Sequence, residues 1–245
     1  MASTALAAAM MLTIAANDAS ASVTVTIDSV AGKWVSTQPG SVPVTGLNTN
    51  EIRWGTSTGS GQSGYLFDGL TSGPWNVNQI FDVGQFTHFN NPIAGGSITG
   101  AQLQVDFGVT ITNGSTFTTT LTSVFDFAHL ETPNGANPCA DGGTNGVGVN
   151  ANGCADRVTF KINPGATTSV NIDGTLYVLN LTGFVIGGVS ASEFWTKEQP
   201  TNTAVIQGVL TERSSVVPVP AALPIMLAAL GGFGFAGYRR HRQAA

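Results

Sequence analysis

From Ser22 to Glu212 the chain alternates apolar and polar positions with a period of two. Val23, Val25 and Ile27 alternate with Thr24, Thr26 and Asp28, the mark of a strand with one buried face. The alternation is clearest over 101–112. There Ala101, Leu103, Val105, Phe107, Val109 and Ile111 share one face, and Gln102, Gln104, Asp106, Gly108, Thr110 and Thr112 the other. Asn113-Gly114 follows at once and predicts a tight hairpin. The returning strand is 116–130, with Phe117, Leu121, Phe125 and Phe127 on a common face. Further strands are predicted at 51–55, 65–67, 79–90, 157–162, 169–172, 176–184 and 204–211. Gly84 predicts a bulge or a close approach of backbone, and Asp173-Gly174 a second hairpin turn. Gly32, Pro39-Gly40, Pro43 and Gly46 punctuate the chain after the first strand, and 57–64 is a loop by composition. No stretch between Ser22 and Glu212 carries helical periodicity, and there is no internal repeat. Roughly ten short strands with regular turn signals predict an all-β fold, an antiparallel β-sandwich of jelly-roll-like form.

Both ends depart from this pattern. Ala5 to Ala16 is small and apolar, and Ala19-Ser20-Ala21 has the small-x-small form of a cleavage site, which predicts a signal peptide over 1–21. No Lys or Arg precedes its apolar stretch. At the other end, no charged side chain occurs between Arg213 and Arg239. As a helix, 221–238 would reach about 27 Å, enough for a hydrocarbon core. Gly231, Gly232, Gly234 and Gly237 weaken such a helix by itself but permit close packing against another. Arg239, Arg240 and Arg242 favour a cytoplasmic C-terminus. The predicted organisation is a signal peptide (1–21), a β-sandwich ectodomain (22–212), a linker with a proline box (213–220), a single transmembrane helix (221–238) and a basic cytoplasmic tail (239–245).

The order of Pro218-Val219-Pro220, a short apolar span and a terminal arginine cluster resembles the PEP-CTERM sorting signal. Val219 stands where that signal usually has Glu. The resemblance implies recognition, and cleavage near the proline box, by exosortase, a membrane-embedded transpeptidase-like partner. A precursor held in the inner membrane would then pass to the cell surface or the extracellular matrix. A second resemblance rests on Thr87-His88-Phe89-Asn90, Ile52-Arg53-Trp54-Gly55 and Ser63-Gly64-Tyr65-Leu66-Phe67. These are similar to the THxN group of PEP-CTERM proteins, and the likeness extends through the cysteine loop to Phe194–Gln199. It implies a surface or matrix protein and brings no catalytic residues with it.

Charge sharpens the picture. Only 9% of residues are charged, while Thr, Ser, Asn and Gly abound, as suits an exported β protein. Between leader and tail there are thirteen acidic and six basic residues, which argues against a nucleic-acid partner. Cys139 and Cys154 enclose an Asn- and Gly-rich loop. An even pair outside the cytoplasm favours a disulfide over reduced structural cysteines or a metal site. Closing a loop of about 15 residues stabilises by roughly 3 kcal/mol.

Candidate chemistry is sparse. Alternation puts Phe86, His88 and Asn90 on one face and Thr87 and Phe89 on the other. The first reading is that His88 and Thr87 hydrogen-bond at a strand edge ahead of Asn91-Pro92; a ligand role or acid–base catalysis is secondary. His129 and Glu131 share a face near the cysteine loop, with Asp126 close in sequence, a set suited to a transition metal. Asp141, Asp156 and Asn carbonyls suit Ca²⁺. No EF-hand or nonapeptide repeat is present, so no metal site is assigned and no cofactor is expected, Ca²⁺ being the one candidate. There is no Gly-x-Ser-x-Gly elbow, phosphate loop or His-Glu-x-x-His motif. Trp195 with Lys197 and Glu198 is the best polar-aromatic cluster for a ligand. The expected function is a non-enzymatic exported surface or matrix protein, with exopolysaccharide a candidate partner. The alternatives are a carbohydrate-binding module using Trp34, Trp54, Trp75 or Trp195, and a secreted hydrolase.

Overall fold

The alternation over 101–112 is realised residue for residue: Ala101, Leu103, Val105, Phe107, Val109 and Ile111 are all buried. The structure is a computed structural model that describes residues 23–162, 168–172, 174–199 and 201–214. The predicted signal peptide of 1–21, the Pro218-Val219-Pro220 box, the predicted 221–238 span and Arg239, Arg240 and Arg242 lie outside the described residues.

In chain order the strands are β1 (Thr24–Gln38), β2 (Val44–Thr45), β3 (Glu51–Trp54), β4 (Thr56–Ser57), β5 (Ser63–Gly69), β6 (Ser72–Asn76), β7 (Ile80–Phe89) and β8 (Ile93–Ala94). They continue with β9 (Gly100–Asn113), β10 (Ser115–Leu130), β11 (Asp156–Ile162), β12 (Val170–Ile172), β13 (Thr175–Ile186), β14 (Val189–Ala191), β15 (Glu193–Thr196) and β16 (Thr201–Ser214). One sheet has the order β15-β11-β10-β9-β1-β6 and the other β12-β13-β16-β7-β5-β3-β2, with β14 on β13 and a small β4-β8 pair apart. Every named strand pairing is antiparallel. Side chains from both sheets form a single hydrophobic cluster, among them Leu103, Phe107 and Phe125 from the first and Phe67, Phe86 and Leu179 from the second. The fold is therefore all-β and sandwich-like, as expected. Among the described residues the helical structure is a 3₁₀ turn at Gly148–Asn150, and none of their helices is long and apolar enough to cross a membrane.

Both hairpins stand where their turn residues predict. Asn113 pairs with Ser115 around Gly114, which has φ 69°, and Ile172 pairs with Thr175. Phe117 follows the predicted parity yet is 41% exposed. β11 covers β10 only from Phe125 to Leu130, so the first half of β10 is a sheet edge.

Gly32 does not end the first strand. β1 runs through it to Gln38, with register shifts at Ile27/Ser29 and Trp34/Ser36. The reason is packing: a Cβ at Gly32 would overlap the Phe67 ring, and one at Gly84 would lie 2.6 Å from Phe67 Cζ. One phenylalanine thus fills the space over two glycines, one in each sheet. Gly84 also borders the irregularity where β7 meets β16, so it is both a close approach and the neighbour of a bulge. β16 continues to Ser214, two residues into the stretch read as linker.

Candidate functional site

Each sheet sends polar side chains into one end of the shared interior. On β7 the alternation turns Phe86, His88 and Asn90 inward, and all three are fully buried. Phe89 faces the other way, under the Arg53 guanidinium at 3.5 Å from its ring centre. Tyr65 of β5 and Trp54 of β3 stand beside His88, with Trp54 stacked on it at 6.1 Å. From the first sheet, the parity of β10 that buries Phe125 and Phe127 also buries His129, and Glu131 follows just past the strand end. β11 opens with Asp156, and β15 brings Thr196 and then Glu198; all three are fully buried.

Hydrogen bonds stitch these groups across the sheets. Tyr65 Oη lies 2.6 Å from His129 Nδ1, and His129 Nε2 lies 3.2 Å from Glu131 Oε2. Ser97 donates to the same carboxylate oxygen at 2.8 Å and accepts from Trp54 Nε1 at 3.2 Å. His88 Nδ1 lies 2.8 Å from Thr196 Oγ1, and the Asn90 amide donates to the Thr196 carbonyl at 3.0 Å. Asn90 also accepts the Gln199 backbone N–H at 2.7 Å through its own carbonyl. Thr132 serves Asp156 twice, its N–H donating to Oδ1 at 2.8 Å and its hydroxyl at 3.1 Å.

That network leaves several atoms unmet. Among the described residues, His88 Nε2, Asn90 Oδ1, Asn134 Oδ1, Asp156 Oδ2 and both carboxylate oxygens of Glu198 are buried without a hydrogen bond. Unpaired buried polar atoms are costly and rare, and His88, Asp156 and Glu198 belong to two clusters that share Asp156. Burial lifts Asp156 to about 8, with repulsion from Glu131 adding and the Thr132 N–H opposing. Burial likewise lifts Glu198 to about 7, again with Glu131 adding and the Asn134 side chain opposing. Burial, and then the charge of His129, holds His88 well below the usual imidazole range.

Two overlapping sets have metal-ligand spacing. His88, His129 and Asp156 offer one ligand atom each within 4.8 Å of one another, and so do Glu131, Asp156 and Glu198. As chemistry, the cluster can hold a cation or share protons. Its aliphatic hydroxyls are committed elsewhere: Ser97 donates to a carboxylate, and Thr196, which lies beside His88 Nδ1, donates to the Asp156 carbonyl at 3.2 Å, so neither gives its proton to an imidazole as an activated nucleophile would.

The sequence-predicted residues are thus partly united. The Thr87-His88-Phe89-Asn90 motif is joined through Thr196 and Gln199 to the Phe194–Gln199 segment. His88 faces the interior, and its hydrogen bond reaches Thr196 at the end of β15, an edge strand of the first sheet. His129 and Glu131 meet as expected, and Asp156 joins them. Asp126 does not: it accepts from Gln102 on the opposite face of β10. Asp141 is also apart, accepting from the Gly143 N–H and then from Asn150 inside the cysteine loop, which hold its carboxyl below the ordinary range. Trp195, Lys197 and Glu198 do not form one surface cluster. Trp195 is half-buried, donates to Glu193 and lies 5.6 Å from the Arg157 guanidinium, whereas Glu198 is fully buried. Trp34 and Trp54 are core residues, which leaves Trp75 and Trp195 partly accessible. Cys139 and Cys154 form the expected disulfide. Sequence reasoning missed Ser97, Thr132 and Asn134, and named Tyr65 only within the Ser63–Phe67 motif; no spacing links any of them to the histidines. The chain matches no protein-family model and no curated protein.

Proposed function

We propose that this is a non-enzymatic exported protein of the cell surface or extracellular matrix, delivered by its C-terminal PEP-CTERM-like signal. The observation that carries the reading is the Cys139–Cys154 disulfide, since such bonds persist in oxidising compartments outside the cytoplasm. The address comes from the tail: Pro218-Val219-Pro220, an uncharged span and Arg239, Arg240 and Arg242. In this reading the leader of 1–21 directs export. The 221–238 helix then holds a precursor, with its jelly-roll-like ectodomain outside, while an exosortase-type transpeptidase acts at the proline box. Proline on either side of Val219 favours an extended, accessible backbone there. The mature protein then lacks everything after about Pro220, and it contacts exopolysaccharide but no nucleic acid. The commitment of Ser97 to Glu131 supports a non-catalytic role. Peptide mapping of the extracellular form tests the route: recovery of peptides containing Met226 or Tyr238 would show a retained anchor and refute processing.

One observation favours carbohydrate binding as a second reading. Trp75 lines a surface depression with Leu70, Ile80 and Phe81, and Leu70 and Ile80 are 42% and 52% exposed. An exposed apolar platform beside an aromatic ring suits the apolar face of a sugar. Pull-down with the producing cell's exopolysaccharide decides it: retention lost on Trp75→Ala supports it, and no retention of the unaltered protein removes it.

A further inference from the structure

The three carboxylates between the sheets have no Arg or Lys partner, and His129 meets only Glu131 among them. Glu131, Asp156 and Glu198 bring oxygens within 4.8 Å of one another. Among the described residues, no Arg or Lys ion pair reaches any of them. Arg53 pairs with Glu51, and Arg157 pairs with Glu193. Asp156 and Glu198 are 0% exposed, yet Asp156 Oδ2, Glu198 Oε1 and Glu198 Oε2 accept no hydrogen bond there. Asn134 Oδ1, from the turn beside them, is also buried and unmet. Two of the three clustered carboxylates thus carry buried oxygens with no hydrogen bond, and the Asn134 side chain lies beside Glu198; a cation would meet those oxygens.

We propose that Glu131, Asp156 and Glu198 hold a single hard divalent cation, Ca²⁺, between the two sheets. Ca²⁺ binds oxygens at about 2.3–2.6 Å, so ligands on opposite sides of one ion stand roughly 5 Å apart, which the observed spacing already satisfies. Donor chemistry decides against a softer metal. Both nitrogens of His129 are engaged, by Tyr65 and by Glu131, which leaves His88 Nε2 as the one unmet imidazole nitrogen in the cluster. Carboxylate and amide oxygens in the majority select Ca²⁺ over Zn²⁺ or Cu²⁺. Glu131, whose side chain is 27% exposed, opens the site to solvent and gives an ion its way in. Its other partners, Ser97 and His129, orient it from behind as outer-shell groups do. Because the ligands come from β11 and from the segments that follow β10 and β15, the bound ion would tie three neighbouring strands at one end of the sandwich.

The test uses the full chain, stripped with EDTA and exchanged into chelator-free buffer. Calorimetric titration with CaCl₂ should give one Ca²⁺ per chain, and CaCl₂ should raise the melting temperature. Glu198→Gln should weaken binding at least about tenfold. Asp141→Asn, in the exposed cysteine loop, should leave it unchanged. If Glu198→Gln fails to fold, Glu131→Gln at the accessible edge replaces it with the same expected loss. Absence of both heat and thermal shift in the unaltered chain overturns the proposal. So does Ca²⁺ binding that survives the Glu198 and Glu131 substitutions but vanishes with Asp141→Asn. Binding of Zn²⁺ alone, lost on His88→Gln, would also overturn it in favour of the imidazole set.

Discussion

The hydroxyl of Tyr65 lies 2.6 Å from Nδ1 of His129, so a strand of one sheet is hydrogen-bonded to a strand of the other inside the core. Both side chains are withdrawn from water. Such a bond contributes less by being made than it costs when one partner is left alone.

Tyr65→Phe isolates that cost. The phenyl ring retains its packing against Trp34, Trp54 and Phe86, whose centres lie 5.2, 4.9 and 5.0 Å away. What is lost is the hydroxyl, and a buried imidazole nitrogen is left unmet, at a cost of about 1–3 kcal/mol. Urea denaturation should show a lower midpoint with an unchanged slope. A midpoint equal to or above that of the parent protein would mean the cross-sheet bond does not hold the site together.

Gly32 and Gly84 make the second case. Phe67 occupies the space that a side chain at either position would need. Gly32→Ala or Gly84→Ala should each destabilise by about 1–3 kcal/mol through overpacking. Shortening the intruding ring with Phe67→Leu in the Gly32→Ala background should recover part of the loss. Failure of the double variant to recover anything, or a neutral Gly32→Ala, would show that the wedge is not the constraint.

These glycines also mark how far the sequence could be read. A strand glycine followed by Pro39-Gly40 looks like punctuation, and only the opposing sheet shows that Gly32 makes room for Phe67. Alternation did specify the buried face of β9, and Asn113-Gly114 and the Asp173-Gly174 pair located their hairpins, because both are local rules. The site was legible as fragments. His88, His129, Glu131 and Asp156 each stood out, but their meeting depends on how two sheets are laid against each other. Tyr65 was marked only as part of a strand and a motif, with nothing to pair it with His129, and Ser97 and Asn134 carried no local signal at all. The scattering of Trp195 and Glu198 was, by contrast, readable: they differ in parity, and the alternation that buries Phe194 and Thr196 carries on past the end of β15 to bury Glu198.

The disulfide supplies a third expectation. Cys139 and Cys154 are separated by 15 residues, and few apolar side chains anchor the loop between them. Replacing both with Ala should cost about 3 kcal/mol in the chain-entropy account. The loop should also become the first site of limited proteolysis, within residues 140–149. An unchanged urea midpoint and an unchanged digest would show that the Asn150–Asp141 and Asn145–Asn134 hydrogen bonds suffice without the crosslink.

The buried carboxyls predict an unusual pH dependence for chelator-treated protein. Burial raises Asp156 from 3.8 to about 8 and Glu198 from 4.5 to about 7. Above their unfolded values the folded chain therefore holds more protons than the unfolded chain, and each rise in pH favours unfolding until the folded groups ionise. Their stabilising contribution is complete below about pH 4 and is lost as pH climbs through 7 and 8. His88 acts in the opposite sense: lowered from 6.5, it favours unfolding as pH falls below that value. Between about pH 7 and 8 the imidazole is largely neutral in both states and the carboxyls dominate. The melting temperature should fall steadily across that window, where a protein of ordinary surface carboxylates would be flat. Asp156→Asn preserves an oxygen to accept from the Thr132 N–H and removes the larger of the two titrations, so its profile should be shallower. Melting curves taken at half-unit steps in chelator-containing buffer decide the matter. A flat or rising profile in the parent protein would mean that Asp156 and Glu198 are ionised in the fold, and that their charges are already met.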